Sequence, residues 1–352
     1  MIVFRSIRNS DLDALFSLAR SVGIGMTTLK ADRSALEDRI AVAQASFSGA
    51  IDSKLADYMF VLEDTESNQV VGVSAVKASV GLDEPFYSYR VCRLVHSSPK
   101  LDIYSQKETL ILTNDLTGAA ELCTLYLNPE FRGGTNGKLL SKGRLMFASN
   151  FIHLLPELIF AEMRGYQRSD GTSPFWDSLG KHFFKMDFGK ADDMSSVGTK
   201  SFIAELMPRF PIYTDFLTED AREYIGAVHS ATAPAKRLLE QEGLNFEGLV
   251  DIFDAGPVLQ GHVSQLRITQ DSELAIARQG SEQHSDEATS GRRPMMVSNT
   301  LCKDFRVIVS YAEPQFGSIA LGREELAALG IEPGDPVRVV AMNGQEIRSK
   351  ST

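Results

Sequence analysis

The stretch Glu121-Leu-Cys-Thr-Leu-Tyr-Leu-Asn-Pro-Glu-Phe-Arg132, running into Gly133-Gly134-Thr135-Asn136-Gly137, decides the reading of this chain. Its first part is rich in β-forming and apolar residues and stops at Pro129, which predicts a strand. The glycine cluster predicts a loop. From about Lys138 to Leu154 the residues Leu140, Phe147, Phe151 and Leu154 recur at helical spacing, and Leu158 to Met163 reads as the next strand. A strand, a glycine loop and a helix in that order suit an anion. Backbone N–H groups in the loop can turn toward one point, and the helix N-terminus adds partial positive charge. Arg132, Lys138, Lys142 and Arg144 cluster at the same place. The spacing is not that of a P-loop, which needs GxxxxGK followed by Ser or Thr, nor of a Rossmann GxGxxG turn.

Working toward the N-terminus, residues 2–8 read as a strand, and Ser10 with Asp13 has the spacing of a capping box. Leu12, Leu15, Phe16, Ala19 and Val22 then follow a helical period until Gly23-Ile24-Gly25 breaks it. A second helix is expected over 32–47. Tyr58–Glu63 and Val70–Val80, separated by a polar turn, predict an antiparallel hairpin. Strand, helix, helix, strand, strand is the start of a mixed α/β layer fold with a mainly antiparallel sheet, not of a βαβ array.

Toward the C-terminus, residues 165–228 read as a mostly helical insertion with Pro208 and Pro211 as breakers. Residues 233–242 form a helix ended by Gly243, and 246–254 a strand. Gln270–Arg293 is polar and is read as loop. The division expected is a principal domain over 1–257, a linker over 258–300 and a small β-rich domain over 301–352, with strands at 305–309 and 337–340 and a helix near 324–329.

Composition narrows the function. With 352 residues, 43% hydrophobic and 23% charged, the chain is ordinary globular protein. Its net charge of −10 argues against non-specific nucleic-acid binding. No apolar run approaches the roughly 20 residues of a membrane span, and Met1–Arg5 reads as a strand, not a signal peptide. Cys92, Cys123 and Cys302 form no CxxC pair, which fits buried thiols in a reducing cytoplasm. His96, His153, His182, His262 and His284 show no metal-binding spacing, so no metal is expected. His182, on an apolar helix face, and Trp176 with Phe175 and Phe183 are read as packing residues.

The glycine loop resembles the acyl-CoA motif of GNAT N-acyltransferases, Q/R-x-x-G-x-G/A, with Arg132 and Gly137 at its ends and Thr135 in the central glycine slot. Thr232, Ala235, Leu239, Gly243 and Leu244 match the NxxAxxxYxxxGF helix found late in many GNAT proteins, except that Leu239 replaces the tyrosine that often protonates the leaving thiolate. More specific blocks follow in order: Glu121–Leu125, Glu162–Gly165, Phe175–Phe188, Phe202–Pro208 and Ile225–Pro234. Together they resemble the arginine N-succinyltransferase family from the first strand to about Pro257, and more loosely beyond it.

That resemblance implies a GNAT-like fold and transfer of a succinyl group from succinyl-CoA to the α-amine of L-arginine. It implies no permanently bound cofactor, and a homo-oligomer or an assembly with a related chain. It makes His229 the proton donor and Leu125 a succinyl-CoA contact, with Arg132, Gly133, Gly134, Asn136, Gly137 and Lys138 holding the cofactor end. Elementary chemistry suits these roles, since attack on a thioester builds an oxyanion and expels a thiolate. Glu162 or Glu121 are candidates to accept the amine's proton, and Asp83, Glu84, Arg90 and Asn114 to recognise the amino acid. Cys123 lacks an adjacent histidine, so direct attack is expected over a covalent intermediate. Ornithine as acceptor, or a non-catalytic acyl-CoA-binding subunit, are the alternatives.

Overall fold

A computed structural model describes residues 1–22, 28–195, 205–280 and 292–344. The Gly23-Ile24-Gly25 break, Phe202–Ala204 of a motif block, His284 and residues 281–291 of the polar stretch lie outside the described residues.

In chain order the strands are β1 (Ile2–Ser6), β2 (Asp57–Asp64), β3 (Gln69–Lys77), β4 (Ser88–Ser98) and β5 (Ile103–Thr113). They continue with β6 (Ala120–Leu127), β7 (Leu158–Glu162), β8 (Ile212–Tyr213), β9 (Asn245–Val250) and β10 (Pro257–His262). The last five are β11 (Glu273–Gln279), β12 (Met295–Asn299), β13 (Arg306–Ser310), β14 (Ser318–Leu321) and β15 (Pro336–Ala341). Among the described residues they join one sheet in the order β14-β11-β15-β12-β13-β1-β2-β3-β6-β7-β10-β9-β4-β5-β8. The pairs β6–β7 and β11–β14 are parallel and the other neighbours antiparallel. This is the mixed, mainly antiparallel α/β sheet expected.

Helix α1 (Leu12–Ser21) and α2 (Arg33–Ser48) follow β1, and α3 (Asn136–Asn150) follows the glycine loop. The side chain of Asp32 accepts from Ala35 N–H and caps α2, and Gly49, at φ 70°, ends it. The expected Ser10–Asp13 box is replaced by a 3₁₀ turn over Asn9–Asp11, because the Asp11 carboxylate is committed to Arg5 at 2.7 Å and to the Arg8 N–H. An aromatic cluster holds the layers together. Phe147 of α3 lies 5.1 Å from Phe60 of β2 and 5.3 Å from Phe305, and Phe4 of β1 stacks on Phe60 at 4.8 Å. Gly143 admits this packing, since a Cβ there would stand 2.7 Å from the Phe4 ring. Burying each such ring contributes about 1.5–3 kcal/mol.

Two expectations need correction. The 258–300 stretch is not a bare linker: its described part carries most of β10, then a short helix Arg267–Asp271, β11 and β12. β11 escaped notice because its inward positions are the small Ala275 and Ala277, while Leu274 and Ile276 face out. The C-terminal strands, expected as a small β-rich domain, join the same sheet: β13 pairs with β1 and Phe305 enters the aromatic cluster. Finally, His182 is exposed instead of packed. Trp176 behaves as expected, fully buried between Phe184 at 5.2 Å and Phe253 at 5.6 Å. Within the insertion, that core is built by a π-turn Trp176–Gly180, α4 (Lys181–Phe184) and α5 (Phe188–Ser195).

Candidate active site

β6 is interrupted where the sequence placed the acyl contact. Val73 of β3 faces Tyr126 and Ala75 faces Cys123, so Thr124 and Leu125 together oppose Ser74. This is a β-bulge, and Thr124 adopts φ 55°, a conformation that costs a β-branched residue about 1–3 kcal/mol. The Thr124 hydroxyl is buried without a partner. The bulge coincides with the end of the parallel ladder. β6 meets β7 at Ala120–Ile159 and Glu121–Phe160, whereas β7 continues against β10 as far as Glu162. Leu122–Leu127 therefore have no partner on β7, and the two strands part from this point. Glu121 and Glu162 flank it, both half-buried and both engaged with other groups.

The glycine loop lies at the end of the same strand. Arg132, Gly133 and Gly134 are exposed, Gly134 has φ 52°, and a Cβ built on Gly133 or Gly134 would meet nothing within 4 Å. The glycines thus leave the loop backbone open to a ligand. The Arg132 Nε donates to Leu127 O at 3.2 Å, which turns the side chain back along the loop. Asn136 Nδ2 ties the first turn of α3 to Phe131 O at 3.1 Å, and Lys138 Nζ reaches Asn343 Oδ1 at 3.0 Å.

The other two cations of the expected basic cluster face inward and are unavailable to an anion there. Lys142 and Arg144 are each 1% exposed. Lys142 pairs with Glu242 at 2.7 Å and donates to Met342 O at 2.7 Å. Arg144 donates to Ser141 O at 3.2 Å and to Cys123 O at 3.3 Å, and burial brings its guanidinium down to about 10. α3 is buried on all sides from Leu139 to Ser149, so both cations are enclosed, which a count of nearby charges does not reveal. Arg144 thereby props the residue just before the bulge, a role unforeseen in the sequence.

Cys123 is buried, and burial, helped by Glu121 and Asp57, pushes its thiol up to about 11. A thiol so held is a poor nucleophile at neutral pH.

His229 is half-buried on the other flank. It caps a 3₁₀ turn Ser230–Thr232, its Nδ1 accepting from Ala231 N–H at 3.2 Å. That bond assigns the remaining proton to Nε2 in the neutral ring. Its backbone N–H donates to Arg164 O at 2.8 Å, and Val228 bridges to Gly165 just beyond β7. Desolvation and the Arg164 charge hold His229 below its ordinary value. Leu125 and Val228 are both partly buried against the main apolar core, which also holds Cys123, Tyr126 and Met163. Leu239, at the tyrosine position, is 3% exposed within that cluster, which leaves the helix Ala233–Gln241 with no proton donor there.

Below this loop lies a carboxylate pair absent from the sequence reading. Asp254 accepts from Gly165 N–H at 2.8 Å and from Gly256 N–H at 2.9 Å, while Asp251 Oδ1 accepts from Phe253 and Asp254 N–H at 2.7 and 2.9 Å. Burial raises both above the usual carboxylate range, and the charge of Asp251 pushes Asp254 further up. Among the proposed amino-acid contacts, Arg90 is paired with Asp115 at 2.6 Å and Asn114 donates to Phe86 O at 2.6 Å, whereas Asp83 and Glu84 lie exposed in the loop before β4.

The sheet that parts beside a bulge, with an open glycine loop at a helix start, defines an acyltransferase. Residues 2–268 match the family described as arginine N-succinyltransferase beta subunit, and residues 281–341 match its C-terminal domain. A Pseudomonas aeruginosa relative named arginine N-succinyltransferase subunit beta is 43% identical over 345 residues, 98% of this chain and 99% of its own. A Yersinia pestis arginine N-succinyltransferase is 43% identical over 350 residues, 99% of this chain and 100% of its own. The solved structure of arginine/ornithine succinyltransferase subunit AI from Pseudomonas aeruginosa superposes with a TM-score of 0.88 at 32% identity, covering 98% of this chain and 99% of that one. The chain belongs to the arginine N-succinyltransferase family.

Proposed function

We propose that this chain transfers the succinyl group of succinyl-CoA to the α-amine of L-arginine, releasing CoA. The observation that carries the reading is the bulge at Thr124–Leu125, set where β6 parts from β7 and leading into the open glycine loop. Arg132, Gly133, Gly134, Asn136, Gly137 and Lys138 take the pyrophosphate end of CoA, with the α3 N-terminus adding its partial charge. The thioester then lies along the unpartnered edge of β6, its carbonyl oxygen toward backbone N–H at Leu125.

The amine attacks the carbonyl carbon directly. The resulting ammonium gives a proton to His229, and the collapsing intermediate expels the thiolate, which takes that proton from the same Nε2. This order follows from the depressed ionisation of His229, which rests neutral at neutral pH and must first acquire the proton it donates. Nε2 carries the ring proton at rest, so it can accept only once that proton has moved to Nδ1, which gives up the bond from Ala231, about 0.5–1.5 kcal/mol.

Ornithine is the second acceptor to consider, because the structural relative is described as an arginine/ornithine enzyme. The β4–β5 hairpin exposes Leu94, Val95, Leu101, Ile103 and Tyr104, which supports pairing with another copy or a related chain. The experiment is thiol release from succinyl-CoA with L-arginine, L-ornithine and L-lysine, alongside His229→Ala. Turnover with arginine that falls about 100- to 10,000-fold in the variant supports the reading. Silence with every acceptor overturns it.

A further inference from the structure

Arg164 and Gln167 form a polar pair that the steps above do not use. Arg164 Nη2 donates to Gln167 Oε1, which fixes the amide with its N–H₂ group turned away from the guanidinium. Gln167 is 6% exposed, yet its Nε2 has no hydrogen-bond partner, and neither does the buried Nε of Arg164. Among the described residues no carboxylate forms an ion pair with Arg164. A buried donor left unmade costs about 1–3 kcal/mol, so two of them on hydrogen-bonded side chains point to an acceptor that arrives with a ligand.

The backbone beneath this pair is fixed from several sides. Arg164 O accepts from His229 N–H at 2.8 Å and from the Thr232 hydroxyl at 3.5 Å. Met163 N–H donates to Pro257 O at 3.0 Å, and Gly165 N–H to the buried Asp254 at 2.8 Å. Asp254 is thus a positioning residue for Arg164, and the guanidinium projects from the same short segment that carries the proton-handling histidine.

We infer that Arg164, with Gln167 beside it, binds the distal carboxylate of the succinyl group and selects a dicarboxylic acyl chain. The inference rests on the acyl-transfer reading above and gives it a substrate determinant. A guanidinium offers N–H donors that match a carboxylate, and the buried Nε of Arg164 is one without a partner. The succinyl carboxylate stands two methylene groups from the thioester carbonyl, on the side of that carbon opposite the sulfur. The carboxylate of the acceptor amino acid approaches with the nucleophile instead.

The test compares succinyl-CoA with butyryl-CoA, which has the same chain length and no charge. Calorimetric titration of the full chain measures the two dissociation constants, independently of turnover. The wild type is expected to prefer succinyl-CoA by about 10- to 150-fold, the range commanded by a charge-assisted hydrogen bond. Arg164→Met abolishes that preference, and Arg164→Lys restores part of it. Thermal unfolding and binding of free CoA check that the variants are folded. Equal preference in wild type and Arg164→Met overturns the inference. So does a loss confined to the KM for L-arginine, which would assign Arg164 to the amino acid. A protein that discriminates between the two thioesters but turns over neither refutes the acyl-transfer reading and leaves this one standing.

Discussion

Glu242→Leu is expected to be among the most damaging single changes outside the candidate site. Glu242 follows the helix Ala233–Gln241 and is fully buried, with one carboxylate oxygen 2.7 Å from Lys142 Nζ and 2.8 Å from Arg267 Nη2. Lys142 also donates to Met342 O at 2.7 Å and Arg267 to Ala341 O at 3.2 Å. The triad therefore ties α3, the helix before β9 and the end of β15 through one anion. Removing a partner from a buried ion pair costs about 3–5 kcal/mol, because the charge left behind has neither water nor a counter-ion. Here two cations remain. Lys142 can limit the loss by releasing its proton, which burial already favours, at about 1.4 kcal/mol for each pH unit of displacement. The expected loss in urea unfolding is thus about 3–5 kcal/mol. The double variant Lys142→Met with Glu242→Leu should recover most of it, since an apolar pair of similar volume can replace a buried ion pair. A loss below about 1 kcal/mol, or a double variant no more stable than Glu242→Leu, would refute the reasoning.

Two further outcomes are expected. Gly165→Ala brings a Cβ to 2.4 Å from Asp254 O and 2.6 Å from its carboxylate, an overpacking that costs about 1–3 kcal/mol and displaces the His229 seat; chemical denaturation and steady-state turnover should both fall, and an unchanged pair of values would show that the segment yields freely. His229, held below its ordinary value of 6.5 by desolvation and Arg164, is neutral at neutral pH, so kcat/KM should decline as pH falls through a value below 6.5 and should not decline as pH rises from 6 to 8. The same depressed ionisation means that any stability His229 adds is present above its unfolded value and lost on acidification. A rate that drops on raising pH through that range would make the imidazolium the resting form and reverse the proposed proton order.

The elements around the glycine loop were legible because each carries a local signal. The hairpin β2–β3, the break at Pro129 and the apolar stripe of α3 are set by neighbours a few residues apart. β4 and β5 run 11 residues each, and much of β4 beyond Tyr89 and Arg90 pairs with β5 alone. Such strands have little reason to alternate apolar and polar residues. β11 presents two alanines to the core, too small a signal to separate from a polar linker.

The candidate site divides along the same line. Leu125 and the glycine positions follow from a strand that ends in a loop, and His229 from a block of resembling residues. Lys142 and Arg144 misled because charge in a sequence carries no direction, and both turn inward on α3. Asp254 and Arg164 are 90 residues apart in the chain and meet through Gly165, whose missing Cβ lets Asp254 approach. Glycine here serves contact, and neither its spacing nor its neighbours announce it. What the sequence could not convey is which polar groups remain without partners after folding. Arg164 Nε, Gln167 Nε2 and the Thr124 hydroxyl all do so. Ser88, Thr109, Glu242 and Arg306 keep an unpartnered buried atom elsewhere, so only the Thr124 group at the bulge and the Arg164 and Gln167 groups beside the His229 loop coincide with the proposed chemistry.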